Sequence, residues 1–295
     1  MERLLLPPIG RDDDAFLGPS YESTELKYRK RVVAGSSNYV RMLNMATSMI
    51  YLATSLTILF MFTLGHVGIY RFDIYYNFPK VSTDGMIVPR DFKVFWRLPL
   101  NYIAFSYLAL PAIKHFLVAF PLRERYENLL SKNMSSFNYL EGAVSFSLLK
   151  VHLAVLSGIG NFHLLLSIFA LSFSFFTCIF LFEYINGSRR NKGISVDWVA
   201  SVLGTLPYLI CWGIILSYFL YGAFNEGKPP LTWAAVCVSL CMELLLSLNF
   251  VLQWKVYQDF LKGEVVFVFL SLIYRQLVAW IAFNARSELM FIRVE

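Results

Sequence analysis

Few residues in this chain could do chemistry in apolar surroundings, and Arg275 is the clearest of them. It stands in the middle of the run LSLIYRQLVAWIAF at residues 270–283. A guanidinium keeps its proton, so burying it is costly unless an acid is buried beside it. We therefore treat Arg275 as a candidate functional residue. Its partner is Glu141 or Glu264, unless the side chain snorkels to the membrane surface.

Helical spacing supports a buried polar site in two of the apolar runs. At 100° per residue, polar residues separated by four, seven or eleven positions fall within about 40° of one meridian. Such a stripe faces the protein interior or a wet cavity, because lipid would not solvate it. The two stripes are Glu141, Ser145 and His152 in one run, and Glu264, Ser271 and Arg275 in the other.

Two lysines also lie within apolar runs. Lys150 is deep in its run, whereas Lys114 is nearer an end. Nine residues separate Lys150 from Glu141, which places it about 180° around the helix. We therefore expect Lys150 to point away from Glu141 and to snorkel to the outer membrane interface.

The remaining polar residues carry weaker signals. His115 and His152 are either proton carriers or histidines that are satisfied in the core. The four cysteines, at 178, 211, 237 and 241, show no metal-ligand spacing, and no catalytic elbow, phosphate loop or HExxH motif is present. We predict neither an enzyme nor a metal site.

The elements that must position these residues are transmembrane helices. The chain of 295 residues is 57% hydrophobic and only 16% charged, against about 25% charged in an average soluble domain. Continuous apolar runs predict an all-α membrane protein with seven helices, because barrel strands would alternate. The predicted spans lie near 43–65, 98–120, 137–157, 163–185, 196–222, 231–254 and 264–285.

The distribution of basic residues predicts the orientation. With the N-terminus inside, fifteen Lys and Arg residues lie on the cytoplasmic side and eight outside. We therefore expect a cytoplasmic tail at 1–41, a membrane domain at 42–287 and an external tail at 288–295. The net charge of +6 is then a membrane signature rather than a sign of nucleic-acid binding.

One connection, the outer loop at 67–97, is long. Two β-rich segments, 69–76 and 86–95, flank the turn signal Ser82-Thr83-Asp84-Gly85. We expect a β-hairpin that lies over the outer face.

Motifs with a recognisable spacing occur in several runs. They are SLIYRQLVAW at 271–280, EGAVSFS at 141–147, AIKHF at 112–116, GTLPY at 204–208 and NFVLQWKVYQDFLKGE at 249–264. Together these motifs resemble those of the heliorhodopsins, a family of inverted microbial rhodopsins. The likeness covers most of 42–287, although Tyr51 stands where that family has a histidine.

The resemblance implies a role for one residue of each polar stripe, Glu141 in the first and Arg275 in the second. In heliorhodopsins a lysine of the seventh helix carries retinal as a Schiff base, and a glutamate of the third is its counterion. Arg275 and Glu141 stand at those positions, so we favour an ion pair between them. The neighbours expected around the pair are Ser271, His115, Ser145 and His152. The candidate pocket residues are Trp280, Pro207 and Asn249.

The arginine at position 275 leaves open whether the protein binds retinal and how it would hold it. Since Arg275 cannot form a Schiff base, retinal is absent, bound without a covalent link, or attached elsewhere, for which Lys150 is the candidate. One hypothesis is a photoreceptor or light-gated ion pathway with retinal at an unorthodox site. Another is a chromophore-free rhodopsin-fold sensor or interaction protein held by Arg275 and Glu141, and a third is a small-solute transporter. The resemblance also implies a homodimer in the bilayer.

Overall fold

Seven apolar helices, each long enough to cross a membrane, form the body of the computed structural model. They are α1 (Pro19–Thr63), α2 (Leu100–Ala119), α4 (Ser136–Leu156), α5 (Phe162–Asn191), α6 (Val199–Asn225), α7 (Pro230–Lys255) and α8 (Phe260–Phe291), and a short α3 (Arg123–Ser131) joins α2 to α4. The structure describes residues 19–63, 71–76, 80–81, 87–88, 93–225, 230–257 and 259–291. The predicted all-α fold is confirmed.

The helix bounds differ from the apolar runs mainly at the first span. The apolar part of α1 that the structure describes, Gly35–Met61, overlaps the predicted span 43–65. The helix itself begins at Pro19, within the segment interpreted as a tail. Hydropathy marks only the apolar part of a helix, so a polar extension such as this one escapes it. Of the predicted tails, 1–41 and 288–295, residues 1–18 and 292–295 lie outside the described residues.

The seven spans pack side by side, and α4 is the most buried of them. Neighbouring spans pack as α1 on α2, α2 on α4, α4 on α5, α5 on α6, α7 on α8 and α8 on α1. The backbones of α6 and α7 approach each other less closely than these pairs. In α4, 72% of the apolar window is buried, against 22% in α5 and α6, so α4 lies nearest the centre.

Two small antiparallel sheets, each of two strands, lie between α1 and α2, where a β-hairpin was predicted. Strand β1 (Arg71–Tyr76) pairs with β4 (Lys93–Pro99), and β2 (Lys80–Val81) pairs with β3 (Ile87–Val88). The outer pair continues directly into α2, so the second strand lies later in the chain than predicted. The turn signal at 82–85 lies outside the described residues.

The sheet of β1 and β4 is anchored on the turn between α4 and α5. The Tyr75 amide donates to the Gly160 carbonyl at 3.0 Å, and Ile74 is buried. A Cβ at position 160 would lie 2.7 Å from the Tyr75 ring, so the close approach requires glycine. Asn161 caps α5 by accepting from the Leu164 amide at 3.1 Å. We call this end of the bundle the sheet end and the opposite one the α3 end.

Candidate functional site

Arg275 and Glu141 meet in the interior of the bundle. Arg275 Nη2 lies 3.0 Å from Glu141 Oε1 and 3.2 Å from Oε2. The arginine side chain is 1% exposed and the carboxylate side chain 7%. Arg275 comes from α8 and Glu141 from α4, so the pair fixes these two helices to one another.

Three hydroxyl groups complete the surroundings of the guanidinium. Arg275 donates to Ser145 Oγ at 2.5 Å, to Ser271 Oγ at 2.7 Å and to the Tyr51 hydroxyl at 3.3 Å. The two serines are the neighbours expected from helical spacing. Tyr51 was not anticipated as an acceptor for Arg275.

Neither candidate histidine has a hydrogen bond to Arg275 or Glu141, although His115 stacks on Tyr51, which accepts from Arg275. His115 Nδ1 lies 2.6 Å from Asn44 Oδ1, and the His115 ring stacks on Tyr51 with centroids 6.0 Å apart. Tyr51 therefore separates it from Arg275. His152 lies beside the Tyr107 ring, about 16 Å along α4 from Glu141, because eleven residues rise 1.5 Å each. A shared helix face is thus not a shared site.

Glu264 is engaged elsewhere and is not the partner of Arg275. Its Oε1 accepts from the Tyr126 hydroxyl and from Asn138 Nδ2, both at 2.6 Å. Asn138 Oδ1 in turn accepts from Lys114 Nζ at 2.7 Å. Burial, followed by the charge of Glu264, raises the pKa of Tyr126, which lies in α3 outside the spans. This network ties α3 to α2, α4 and α8 at the α3 end.

The expectation that Lys150 snorkels to the outer interface is wrong. Its side chain is 2% exposed, and Nζ lies 2.6 Å from Glu243 Oε2 in α7. The Glu243 carboxylate inside the bundle is nearer to the Lys150 amine than the water at the membrane surface, so the side chain turns inward. The expectation that Lys150 faces away from Glu141 agrees with its contact to α7. The spacing of residues along α4 does not predict that α7 packs on the side of α4 that carries Lys150.

Glu243 is the residue that sequence reasoning missed. Its carboxylate accepts from Trp212 Nε1 at 2.7 Å, from the Tyr274 hydroxyl at 2.5 Å and from the Tyr208 hydroxyl, in addition to Lys150. The signal was present, because Glu243 is an acid in the middle of the apolar run 231–254. The argument that drew attention to Arg275 applies to it equally.

A cavity of about 370 Å³ lies beside this second ion pair. Seven of its nineteen lining residues are aromatic, and both Lys150 and Glu243 line it. Asn249 also lines it, as predicted for a pocket residue. Pro207 is not among the lining residues, and Trp280 is 37% exposed at the bundle surface. The aromatic lining residues are Tyr139, Phe146, Phe175, Phe176, Tyr208, Phe250 and Phe267.

Phe146 separates the cavity from Arg275. The guanidinium carbon lies 4.0 Å from the centre of the Phe146 ring, and the rings of Phe176 and Tyr274 stack on Phe146 with centroids 5.0 and 5.8 Å away. A Cβ on residue 142 would come within 3.2 Å of Phe146 and 3.4 Å of Phe176. Gly142 therefore leaves room for the stack. Neither Arg275 nor Glu141 lines the cavity.

The comparison with protein families decides the identity of this bundle. A model of the heliorhodopsin family matches residues 40–286. The chain belongs to the heliorhodopsin family. A comparison with curated proteins found no match. This heliorhodopsin is thus a multi-pass integral membrane protein of a rhodopsin-type family rather than of an enzyme family. Rhodopsins generally bind retinal, so the next question is whether the residues present here fit it.

Proposed function

We propose that this heliorhodopsin is a photoreceptor or light-gated ion pathway that holds retinal in the cavity beside Lys150. The observation that carries the proposal is the aromatic cavity itself. Its volume of about 370 Å³ falls within the range of small-molecule sites, about 300–1,000 Å³, and such sites combine apolar walls with a few polar groups. Retinal, a long apolar polyene, supplies the absorption of light when bound.

Position 275 does not fit a covalently bound retinal. A guanidinium does not lose its proton to become a nucleophile. Here it is also surrounded by Glu141, Ser145, Ser271 and Tyr51. The Phe146 ring stands between it and the cavity. The lining residues therefore have to hold the chromophore without help from Arg275.

The rim of the cavity supports entry of an apolar ligand from the bilayer. Thr205 and Leu209 on α6, and Leu244 and Val251 on α7, line the cavity and are exposed on the bundle surface. They lie where the backbones of α6 and α7 approach less closely than other neighbouring spans. A ligand dissolved in lipid thus has a lateral route, while the aromatic walls exclude water.

The test is pigment formation with a matched pair of cavity variants. Leu246→Trp fills the cavity, because Leu246 lines it, whereas Leu248 on the same helix is 53% exposed and does not line it. We expect wild type and Leu248→Trp to retain all-trans-retinal with visible absorbance, and Leu246→Trp to lose it. A folded wild type that retains no retinal would refute the proposal. Light-induced currents in a voltage-clamped membrane distinguish an ion pathway from a photoreceptor.

A second candidate is the chromophore-free rhodopsin fold. The observation in its favour is that both terminal nitrogens of Arg275 have partners, so the arginine supplies the buried cation opposite Glu141 without any cofactor. In that case retinal would raise neither the absorbance nor the melting temperature of the purified protein. The same reconstitution therefore separates the two candidates.

The orientation and assembly belong to the proposal as well. We propose a cytoplasmic N-terminus, on the strength of fifteen basic residues on that side against eight on the other, and a homodimer. An N-terminal tag should be inaccessible from outside intact cells. Cross-linking in native membranes should give a two-chain species.

A further inference from the structure

The bundle contains a second buried cation with its own acid, and this pair borders the aromatic-lined cavity, which Arg275 and Glu141 do not line. Lys150 of α4 and Glu243 of α7 lie near the middle of their helices, 2.6 Å apart. Lys150 is 2% exposed, and both side chains line the aromatic cavity. A lysine at the wall of an apolar cavity is a primary amine that a bound aldehyde can reach.

The carboxylate beside this amine is held by groups other than the amine. Trp212 from α6 and Tyr274 from α8 donate to Glu243 at 2.7 and 2.5 Å, and Tyr208 from α6 donates to it as well. Glu243 therefore stays in position when the nitrogen changes its bonding. A preorganised carboxylate is what a buried positive charge on that nitrogen requires.

Aromatic faces favour a cation at the same place. Lys150 Nζ lies 3.5 Å from the centre of the Trp212 ring and 5.1 Å from that of Tyr208. A cation over an aromatic face is attracted by the ring quadrupole, most strongly by tryptophan. Charge at this nitrogen is thus stabilised from two directions, by Glu243 and by the rings.

We propose that Lys150 is the covalent attachment residue for retinal and that Glu243 is the counterion of the resulting Schiff base. This inference rests on the proposed function and names its site. The Lys150 ammonium gives one proton to Glu243, and the free amine adds to the aldehyde carbon. The aldehyde oxygen leaves as water, a carbon–nitrogen double bond forms, and the nitrogen regains a positive charge opposite the Glu243 carboxylate. One ammonium and one aldehyde thus give one protonated imine and one water, with no oxidant or reductant.

The alternative is that the pair only joins α4 to α7. That role accounts for the 2.6 Å contact, but it uses only the positive charge of the side chain and not the ability of the amine to form an imine. Lys150→Arg separates the two roles, because arginine keeps the charge opposite Glu243 and cannot form an imine. Lys114 supplies a matched control, as it is also a buried lysine but contacts His115 and Asn138 and does not line the cavity.

The experiment is reduction of the retinal-loaded protein with borohydride, followed by mass spectrometry of its peptides. We expect one retinyl group on the peptide that contains Lys150, in wild type and in Lys114→Met. Lys150→Arg and Lys150→Met should carry none. A retinyl group on another lysine, or retinal that is retained by wild type without any covalent adduct, would overturn the attachment while leaving the proposed function intact. Failure of wild type to retain retinal at all would overturn both.

The counterion is tested by absorption spectra. Glu243→Gln should move the absorption band toward the near-ultraviolet at neutral pH, because the imine nitrogen loses the charge that keeps it protonated. Acid should restore the visible band, so the pH at which the band changes should be lower than in wild type. If the band instead responds to Glu141→Gln and not to Glu243→Gln, the assignment of Glu243 is wrong.

Discussion

The two buried ion pairs of this heliorhodopsin differ in what surrounds them. Arg275 is surrounded by polar groups, with Glu141 and the hydroxyls of Ser145, Ser271 and Tyr51 within 3.3 Å. Lys150 has one acid, two aromatic faces and a cavity. The first arrangement uses most of the donors of its cation. The second leaves space for a ligand next to the cation.

This difference follows from the chemistry of the two side chains. Arginine offers five N–H donors in a rigid planar fork and does not lose its proton. It therefore suits a permanent junction between α4 and α8. Lysine is a point charge on a flexible stem, and its amine becomes a nucleophile once it loses a proton. One bundle thus contains a cation that cannot act as a nucleophile and a second one that can do so after losing a proton.

The largest effect on stability should come from removing Arg275. Arg275→Met leaves the Glu141 carboxylate buried without a cation, which costs about 3–5 kcal/mol of unfolding free energy. Reversible unfolding of the retinal-free protein in mixed micelles measures this loss. In a double-mutant cycle with Glu141→Gln, the two effects should be far from additive. Additive effects would mean that the two groups are not coupled.

Removing Lys150 should cost less. Lys150→Met leaves Glu243 with Trp212, Tyr274 and Tyr208 as donors, so we expect a loss of about 2–3 kcal/mol, as for a buried group that lacks one partner. The same unfolding measurement applies, with Lys150→Arg as the variant that keeps the charge. A loss equal to that of Arg275→Met would show that the two pairs do not differ in the way described.

The tyrosine hydroxyls should have smaller effects that again differ between the pairs. Tyr274→Phe removes a donor 2.5 Å from Glu243, and we expect about 1 kcal/mol. Tyr51→Phe removes a contact of 3.3 Å, at the long end for a hydrogen bond, and we expect about 0.5 kcal/mol. Thermal unfolding of both variants decides the order, and the reverse order would contradict it.

The last prediction is that a lysine at position 275 does not by itself produce retinal attachment. Arg275→Lys supplies an amine at position 275, but we expect it not to give retinal attachment in a Lys150→Met background, because Phe146 lies between position 275 and the cavity. Adding Phe146→Ala should open the way and give a pigment. A coloured Arg275→Lys/Lys150→Met protein with Phe146 intact would show that the ring is no barrier.

Much of this protein follows from local features of its sequence. Seven apolar runs predict seven helices, and β-rich segments predict strands before α2, because hydropathy and strand propensity depend on neighbouring residues alone. A charged residue inside an apolar run is equally visible, which is why Arg275 and Glu141 could be selected as a candidate pair. The same rule would have selected Glu243 had it been applied to every run.

The tertiary structure decided which polar groups meet. Helical periodicity shows that Glu141 and His152 share a face of α4, but not that His152 meets Tyr107 while Glu141 meets Arg275. It shows that Lys150 points away from Glu141, but not that Glu243 of α7 lies on that side. The position of Phe146 between Arg275 and the cavity depends on contacts among α4, α5 and α8. The period of a helix determines which residues lie on one face, whereas packing determines what that face meets.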